Sequence, residues 1–425
     1  MARRGRHLVI SIWSVRRNGP TLVSQSKVVP TPDCRREVKR IATASCIQST
    51  CEPTSSTTRH TSAGVASITV LTRMELTGAC YEQGVPHDVS SATSHDEEDR
   101  DDRDDDLLDL AAALAAAGRV VRDVVRSGRV GRDHEVVRTE GGDDVFGVDD
   151  RADQVLLAEL ARVGERWPGT VVLEGYDDPV PIGPAGPDGA PGPWRYLADP
   201  VDGTRPYLAG KRSAWVLLGA GRDATTLEQL EVGAAVEIPT VRAAVGLVAW
   251  ATTTVSSERG SEPGFGARHR LVAEDDDLVG GGPPMPVQLR PQTGRPLDRS
   301  FVTVVRLLPG GHGPIGAWAD GHLAGLEVYD DLVPCTGGAM MGLASGADRA
   351  VFDPRPLLHA GSLAAHPYDL AALVVARAAG AVVEALPPGP LDIPLDTDTS
   401  VAWAGYADEA TATRLRPGDL WPRDL

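Results

Sequence analysis

Lysine is almost missing from this 425-residue chain, standing only at Lys27, Lys39 and Lys211. Arginine carries nearly all the positive charge and alanine abounds, a bias of GC-rich bacterial codons rather than of chemistry. Positive charge as a whole is short: 42 Lys and Arg face 59 Asp and Glu, a net charge of −17 with pI ≈ 5.0. That balance argues against a nucleic-acid-binding surface. Long apolar runs are also missing, and none approaches the roughly 18–20 residues of a membrane span. Cysteine is sparse. Of five, Cys34, Cys46, Cys51 and Cys80 lie in the first eighty residues, at spacings that match no zinc ribbon or finger. Cys335 stands alone and reads as a small core residue rather than a nucleophile. These lacks leave a reduced, cytoplasmic chain with 42% hydrophobic residues, ample for a core, and a length for one large domain or two.

Residues 1 to about 100 are rich in Ser, Thr and Arg and poor in periodic apolar pattern, and read as a disordered tail or an extension from a wrongly chosen start. The acidic run Asp99 to Asp106 suits a helix N-terminus. Leu107, Leu108, Leu110, Leu114, Val120, Val121, Val124 and Val125 then recur at helical spacing, so the folded part is expected to begin near residue 101.

The stretch around which the rest makes sense is Leu197-Ala198-Asp199-Pro200-Val201-Asp202-Gly203-Thr204. An apolar run from Trp194 to Ala198 predicts a buried strand, which ends at two carboxylates with Gly and Thr directly after. Pro200 bends the chain so that Asp199 and Asp202 can turn toward one point. Paired carboxylates suit a hard cation such as Mg²⁺. Gly203 lets the backbone approach a ligand, and the Gly203 and Thr204 N–H groups can face a phosphate. Two readings compete. Asp-Pro and Asp-Gly are ordinary turn pairs, and an aspartyl-phosphate site usually places one residue between its two Asp, where this chain has two.

This stretch resembles the signature of the inositol monophosphatase family, the Mg²⁺-dependent, Li⁺-sensitive phosphatases. Further family landmarks follow in order. Val145 to Val148 predicts a strand leading into a helix, with Asp149 at the junction and Asp153 four residues on; Asp150, adjacent, stays open as an alternative. Thr170 to Leu173 predicts a strand ending at Glu174, where the family has Gly-Glu-Glu and this chain has Leu173-Glu174-Gly175. Gly337 to Asp348 reads as a small-residue helix and turn, a loose match. His366-Pro367-Tyr368-Asp369-Leu370-Ala371-Ala372 matches Trp-Asp-x-Ala-Ala with Tyr for Trp.

The resemblance, over roughly residues 107 to 385, implies a layered α-β-α-β-α sandwich and an Mg²⁺-dependent phosphate monoester hydrolase. It implies two or three Mg²⁺ ions held by Glu174, Asp199, the Val201 carbonyl, Asp202 and Asp369. Thr204, supported by Asp149, would aim the attacking water, with Glu174 also in the catalytic set. Asp202, Gly203 and Thr204 would meet the substrate, a small phosphorylated polyol or sugar. Arg205 and Lys211 lie just past the motif, where they would meet a second phosphate or stand as solvated loop charges. A sugar bisphosphatase, a 3′-phosphonucleotide phosphatase and a non-catalytic metal- or sugar-phosphate-binding relative are the alternatives. No nucleic-acid or membrane partner is implied, and a homodimer is the assembly the family allows. The domain is expected to run over 101–425, as halves of about 101–250 and 300–425 around a surface insertion at 251–299. Within the second half, Phe301 to Leu308 and Leu323 to Tyr329 read as strands.

Overall fold

The computed structural model describes residues 7–15, 22–30, 94–128, 135–140, 143–254, 268–307, 309–332, 335–359 and 363–418. The chain divides into a unit of residues 1–90 and a unit of residues 91–425. In the first, β1 (His7–Val15) and β2 (Leu22–Pro30) pair antiparallel, from His7↔Pro30 to Val15↔Leu22. The expected disorder over 1–100 thus meets a strand pair where residues are described, and the other residues up to 93 lie outside the described set.

The second unit opens with α1 (Ser94–Ser127), so the acidic run lies within the helix. Leu107, Leu110, Leu114, Val121 and Val125 are buried on one face, as their spacing dictates, while the early acids make exposed ion pairs such as Asp105 with Arg270. After β3 (Val136–Glu140) and β4 (Asp143–Phe146) comes α2 (Gly147–Gly164). Val148, expected in a strand, is instead helical and buried, because the strand stops two residues earlier. Asp149 therefore sits inside the first turn of α2 rather than before it.

An eight-stranded sheet follows. Its strands are β5 (Gly169–Leu173), β6 (Val180–Ile182), β7 (Trp194–Asp202), then, after the short helix α3 (Thr204–Leu208), β8 (Ala214–Arg222), β9 (Val232–Ile238), β10 (Val245–Thr254), β11 (Arg268–Asp277) and β12 (Met285–Pro286). They lie in the order β12-β11-β10-β9-β8-β7-β5-β6. Residues 268–277 correct the expected surface insertion: β11 pairs with β10 over ten residues and extends the sheet. Its composition is polar because it lies near the sheet edge, where one side of each residue meets solvent or ionic partners rather than core.

The second sheet has the order β13-β14-β16-β15, built from β13 (Val302–Val304), β14 (Ala350–Asp353), β15 (Val382–Ala385) and β16 (Trp403–Tyr406). Its helices are α4 (Pro309–His322), α5 (Thr336–Ser345), α6 (Arg355–Leu358), α7 (Leu373–Ala379) and α8 (Glu409–Leu415). Two expectations fail here. Phe301 to Leu308 shortens to the three residues of β13, and Leu323 to Tyr329 forms no strand, only a bridge from Tyr329 to Phe301. The Gly- and Pro-rich α4 was hidden by its composition; Ile315 and Ala319 bury in the core cluster that holds Phe352, on which Trp318 packs edge-on.

Strand alternation sorts the core into layers. On the first sheet Val216, Leu218, Ala234 and Val236 face α1 and α2, while Leu217, Ala235 and Ala249 face α5 and α7. On the second sheet Val351, Val383 and Trp403 face that same middle helix layer, and Ala350, Phe352 and Tyr406 face α4 and α8. The result is the expected α-β-α-β-α sandwich. Among the described residues, no helix is long and apolar enough to cross a membrane.

Candidate metal centre

The carboxylates meet where two neighbouring strands end. Strands β5 and β7 run parallel with Leu173 opposite Ala198, and the Glu174 N–H donates to the Ala198 carbonyl at 3.2 Å. Glu174 and Asp199 are the next residues on each strand and so leave the sheet side by side. Asp202 joins them through a bulge. Asp199 lies opposite Leu217 and Asp202 opposite Trp215, so β7 carries one extra residue over that interval. Residues three apart on a regular strand point to opposite faces; the extra residue turns both aspartates to the same side. Pro200 has no N–H to place in the ladder, which suits a bulge. The Val201 N–H donates to Asp199 Oδ1 at 2.9 Å and holds the carboxylate in place.

Asp369 arrives from the other half of the domain. It lies in the 3-10 turn Pro367–Leu370, where its Oδ2 accepts the His366 N–H at 2.6 Å. Asp199, Asp202 and Asp369 offer oxygens all within 4.8 Å of one another. Asp149 accepts the Phe146 N–H at 2.9 Å through Oδ2, leaving Oδ1 2.7 Å from the Thr204 hydroxyl. That hydroxyl is also 2.8 Å from the Val201 carbonyl and shares its proton between the two acceptors. The neighbour of Asp149 is excluded from this role, since Asp150 accepts from Gln154 further along the helix. Gly203 precedes Thr204 with φ of 92°, a left-handed conformation that favours glycine, and a Cβ there would come within 3.0 Å of Cys335.

Electrostatics give the site its chemistry. Burial, then the charges of Asp369 and Asp149, push the Glu174 carboxyl well above the ordinary range. Burial, then Glu174, Asp202 and Asp369, do the same to Asp199. Asp369 is driven up by burial and by Asp202. Asp202 rises to about 6: burial outweighs the N–H groups of Gly337, Gly338 and Thr336 that favour its charge. The cluster thus holds more negative charge than its surroundings can balance. Its donors are carboxylate oxygens of β7 and of the turn that carries Asp369, the type a hard divalent cation takes. A divalent cation fits these residues.

The Gly337 N–H donates to Asp202 Oδ2 at 2.6 Å, at the start of α5. A Cβ on Gly337 would lie 2.5 Å from Leu217 Cδ1 and 2.8 Å from Asp202 Oδ2. Gly337→Ala should therefore displace Asp202 and cost about 1–3 kcal/mol of stability by overpacking; a cation titration paired with a denaturant melt checks both effects.

Arg205 is exposed and lies over the Phe146 ring, and Lys211 is exposed on the loop after α3. Gly175, where the family pattern has a second Glu, has φ of 79°, a turn conformation unsuited to Glu. Asp153, named in the sequence as the acid four residues after Asp149, is buried and adds its charge near Glu174. Two neighbours of the cluster escaped the sequence reading of the site. Cys335, read as simple core, hydrogen-bonds Asp202 through its thiol. Arg355 is a buried cation whose charge bears on Asp369 and Asp202, and no spacing rule marks it.

No family model matches this chain, and no curated protein does. Solved structures do resemble it. The fructose-1,6-bisphosphatase of Leishmania major in its holo form superposes with a TM-score of 0.54 at 13% identity, over 76% of this chain and 97% of that one. The T-state of the same enzyme gives 0.50 at 11% identity, over 72% and 92%. An inositol monophosphatase from Anabaena (Nostoc) sp. gives 0.44 at 16% identity, over 73% and 93%. The chain thus shares the fold of the Leishmania major fructose-1,6-bisphosphatase.

Proposed function

We propose that this protein is a divalent-cation-dependent phosphatase, with Mg²⁺ as the working ion and a small phosphorylated polyol or sugar as substrate. One observation carries the reading. Three carboxylates from two distant segments, Asp199 and Asp202 of β7 and Asp369, converge within 4.8 Å, and a hydroxyl–carboxylate pair is made by Thr204, two residues after Asp202, with Asp149. Glu174, Asp199, Asp202, Asp369 and the Val201 carbonyl are the groups that would hold two or three ions. Bound there, such ions polarise a phosphate and lower the pKa of water.

The chain's own residues supply the rest. Thr204 Oγ1 passes its proton toward Asp149 Oδ1 and can take one from a water beside it, so the pair orients and deprotonates a nucleophile. The Phe146 N–H fixes Asp149 for that task. The Gly203 and Thr204 N–H groups, at the turn into α3, would donate to phosphate oxygens. With water as the nucleophile, no covalent intermediate is required. Arg205 and Lys211 are proposed as contacts for a second anionic group. The protein is proposed to act in the cytoplasm, without nucleic acid or membrane, as a homodimer.

A phosphate-release assay across sugar mono- and bisphosphates, inositol phosphates and 3′-phosphonucleotides, with and without Mg²⁺, tests the reading. Thr204→Val should lower kcat by about 10²–10⁴ while leaving cation binding intact. The replacement of the family's second acid by Gly175 favours one rival, a binding protein that does no chemistry. Micromolar binding of a sugar phosphate with no Mg²⁺-dependent release from any ester would establish that rival instead.

A further inference from the structure

Near its C-terminal end α1 carries three arginines at helical spacing, Arg119, Arg122 and Arg126. With Asp276 of β11, Leu278 and Pro284 they line an open cavity of about 600 Å³, a size that small-molecule sites commonly have. The cavity shares no lining residue with the carboxylate centre. Arg126 donates to the Pro239 carbonyl at 2.5 Å and to the Thr240 carbonyl at 3.3 Å.

Asp276, itself buried, holds the other two forks. Arg119 donates to it through Nε at 2.8 Å and Nη2 at 3.1 Å, and Arg122 through Nη1 at 2.6 Å. Arg119 Nη2 also reaches Glu274 at 2.7 Å, and Arg122 Nε reaches Asp123 at 2.9 Å. The Trp250 ring lies 5.6 Å from the Arg119 guanidinium carbon. Arg119 Nη1 and Arg122 Nη2 have no hydrogen-bond partner among the described residues. Arg122 is only 4% exposed. A network that serves packing alone would satisfy its buried donors, because an unmatched charged donor costs its desolvation. Asp277, the acid next along β11, spends its charge on the N–H groups of Val279 at 3.1 Å and Gly280 at 2.7 Å. The result is two guanidinium groups fixed by carboxylates, each with a terminal nitrogen to spare beside the cavity. Fixed forks of this kind suit phosphate and carboxylate groups.

We propose that this cavity is a second ligand site, which takes the phosphate or carboxylate group of a small anionic molecule between Arg119 and Arg122. Asp276 positions both arginines for that contact. The site uses no residue of the carboxylate centre and stands whether or not the phosphatase reading holds.

The test is calorimetric titration of the full-length, EDTA-stripped protein with inorganic phosphate and, separately, with succinate. Without cations the carboxylate centre repels both probes. Saturable binding of either probe is expected, and the tighter one names the group the site prefers. Arg122→Gln should weaken that binding by roughly ten- to a hundredfold, the worth of hydrogen bonds to a charged group. Ser127, exposed, also lines the cavity, and Ser127→Trp would fill it while leaving each arginine in place. That variant should bind neither probe. Weakening in both variants supports the site; weakening in Arg122→Gln alone marks a distorted helix and overturns it. Affinity unchanged in a folded Arg122→Gln places the anion elsewhere and overturns the inference, as does wild-type protein that takes up neither probe at millimolar concentration. If Arg122→Gln does not fold, Arg119→Gln takes its place under the same criteria.

Discussion

Asp199→Asn should abolish turnover and, in the same protein stripped of metal, raise the melting temperature. Asp199 is 1% exposed and stands between Glu174, Asp202 and Asp369. Its carboxylate is a candidate ligand for more than one ion, so its loss removes a donor on which the whole arrangement depends. The expected fall in kcat is at least about 10³, comparable to removing a principal electrostatic stabiliser of a transition state. The opposite sign in stability follows from the same charge. Without cations, burial and three like charges oppose ionisation of Asp199, and an uncharged isostere relieves that repulsion. Asn keeps the acceptor oxygen that the Val201 N–H uses, so the bulge is preserved. Activity assays with saturating Mg²⁺ and melts in EDTA read the two effects. A variant that is both inactive and less stable in EDTA would mark Asp199 as structural.

Rising pH should destabilise the metal-free protein, and Mg²⁺ should reverse the trend. Asp202 titrates near 6 in the folded state against an ordinary value near 4, and Glu174, Asp199 and Asp369 are displaced in the same direction. Between those values the native protein holds protons that the unfolded chain has released, so the slope of stability with pH is negative. For Asp202 alone the shift corresponds to about 3 kcal/mol. The loss begins near pH 4, passes through about 6 for Asp202, and continues upward for the other three. Cations replace the protons: at a hundred times the dissociation constant, binding restores about 2.7 kcal/mol. Denaturant melts at stepped pH, with EDTA and then with Mg²⁺, give the comparison. A metal-free protein whose stability is flat from pH 5 to 8 would show that these carboxylates do not crowd one another.

The candidate site was legible in the sequence because its acids sit in short, ordered motifs. Asp199-Pro200-Val201-Asp202-Gly203-Thr204 names the residue types, and the proline and glycine state where the chain must bend. Asp149, Glu174 and Asp369 each lie next to the end of a predicted element, where a side chain can leave the core. Less legible were elements whose own pattern is weak. Helix α4 begins Pro-Gly-Gly-His-Gly, and its Ile315 and Ala319 bury in the core cluster that holds Phe352. Strand β11 carries acids that read as a loop, until Arg119 and Arg122 of α1 pair with Asp276 from far along the chain.

By itself the sequence marked α1 by its helical spacing, several strands by their apolar runs, and the acids at strand and helix ends; the five-layer architecture was what the resemblance of its motifs implied. Tertiary structure alone decided which of two adjacent aspartates, Asp149 or Asp150, meets Thr204, and that a one-residue bulge brings Asp199 and Asp202 to the same side. It alone paired the buried Asp353 with Arg355 at the end of β14. The physical reason is range. Periodicity and turn chemistry act over a few residues and are written locally, whereas a buried charge is defined by every group that packs around it, and those groups come from segments two hundred residues apart.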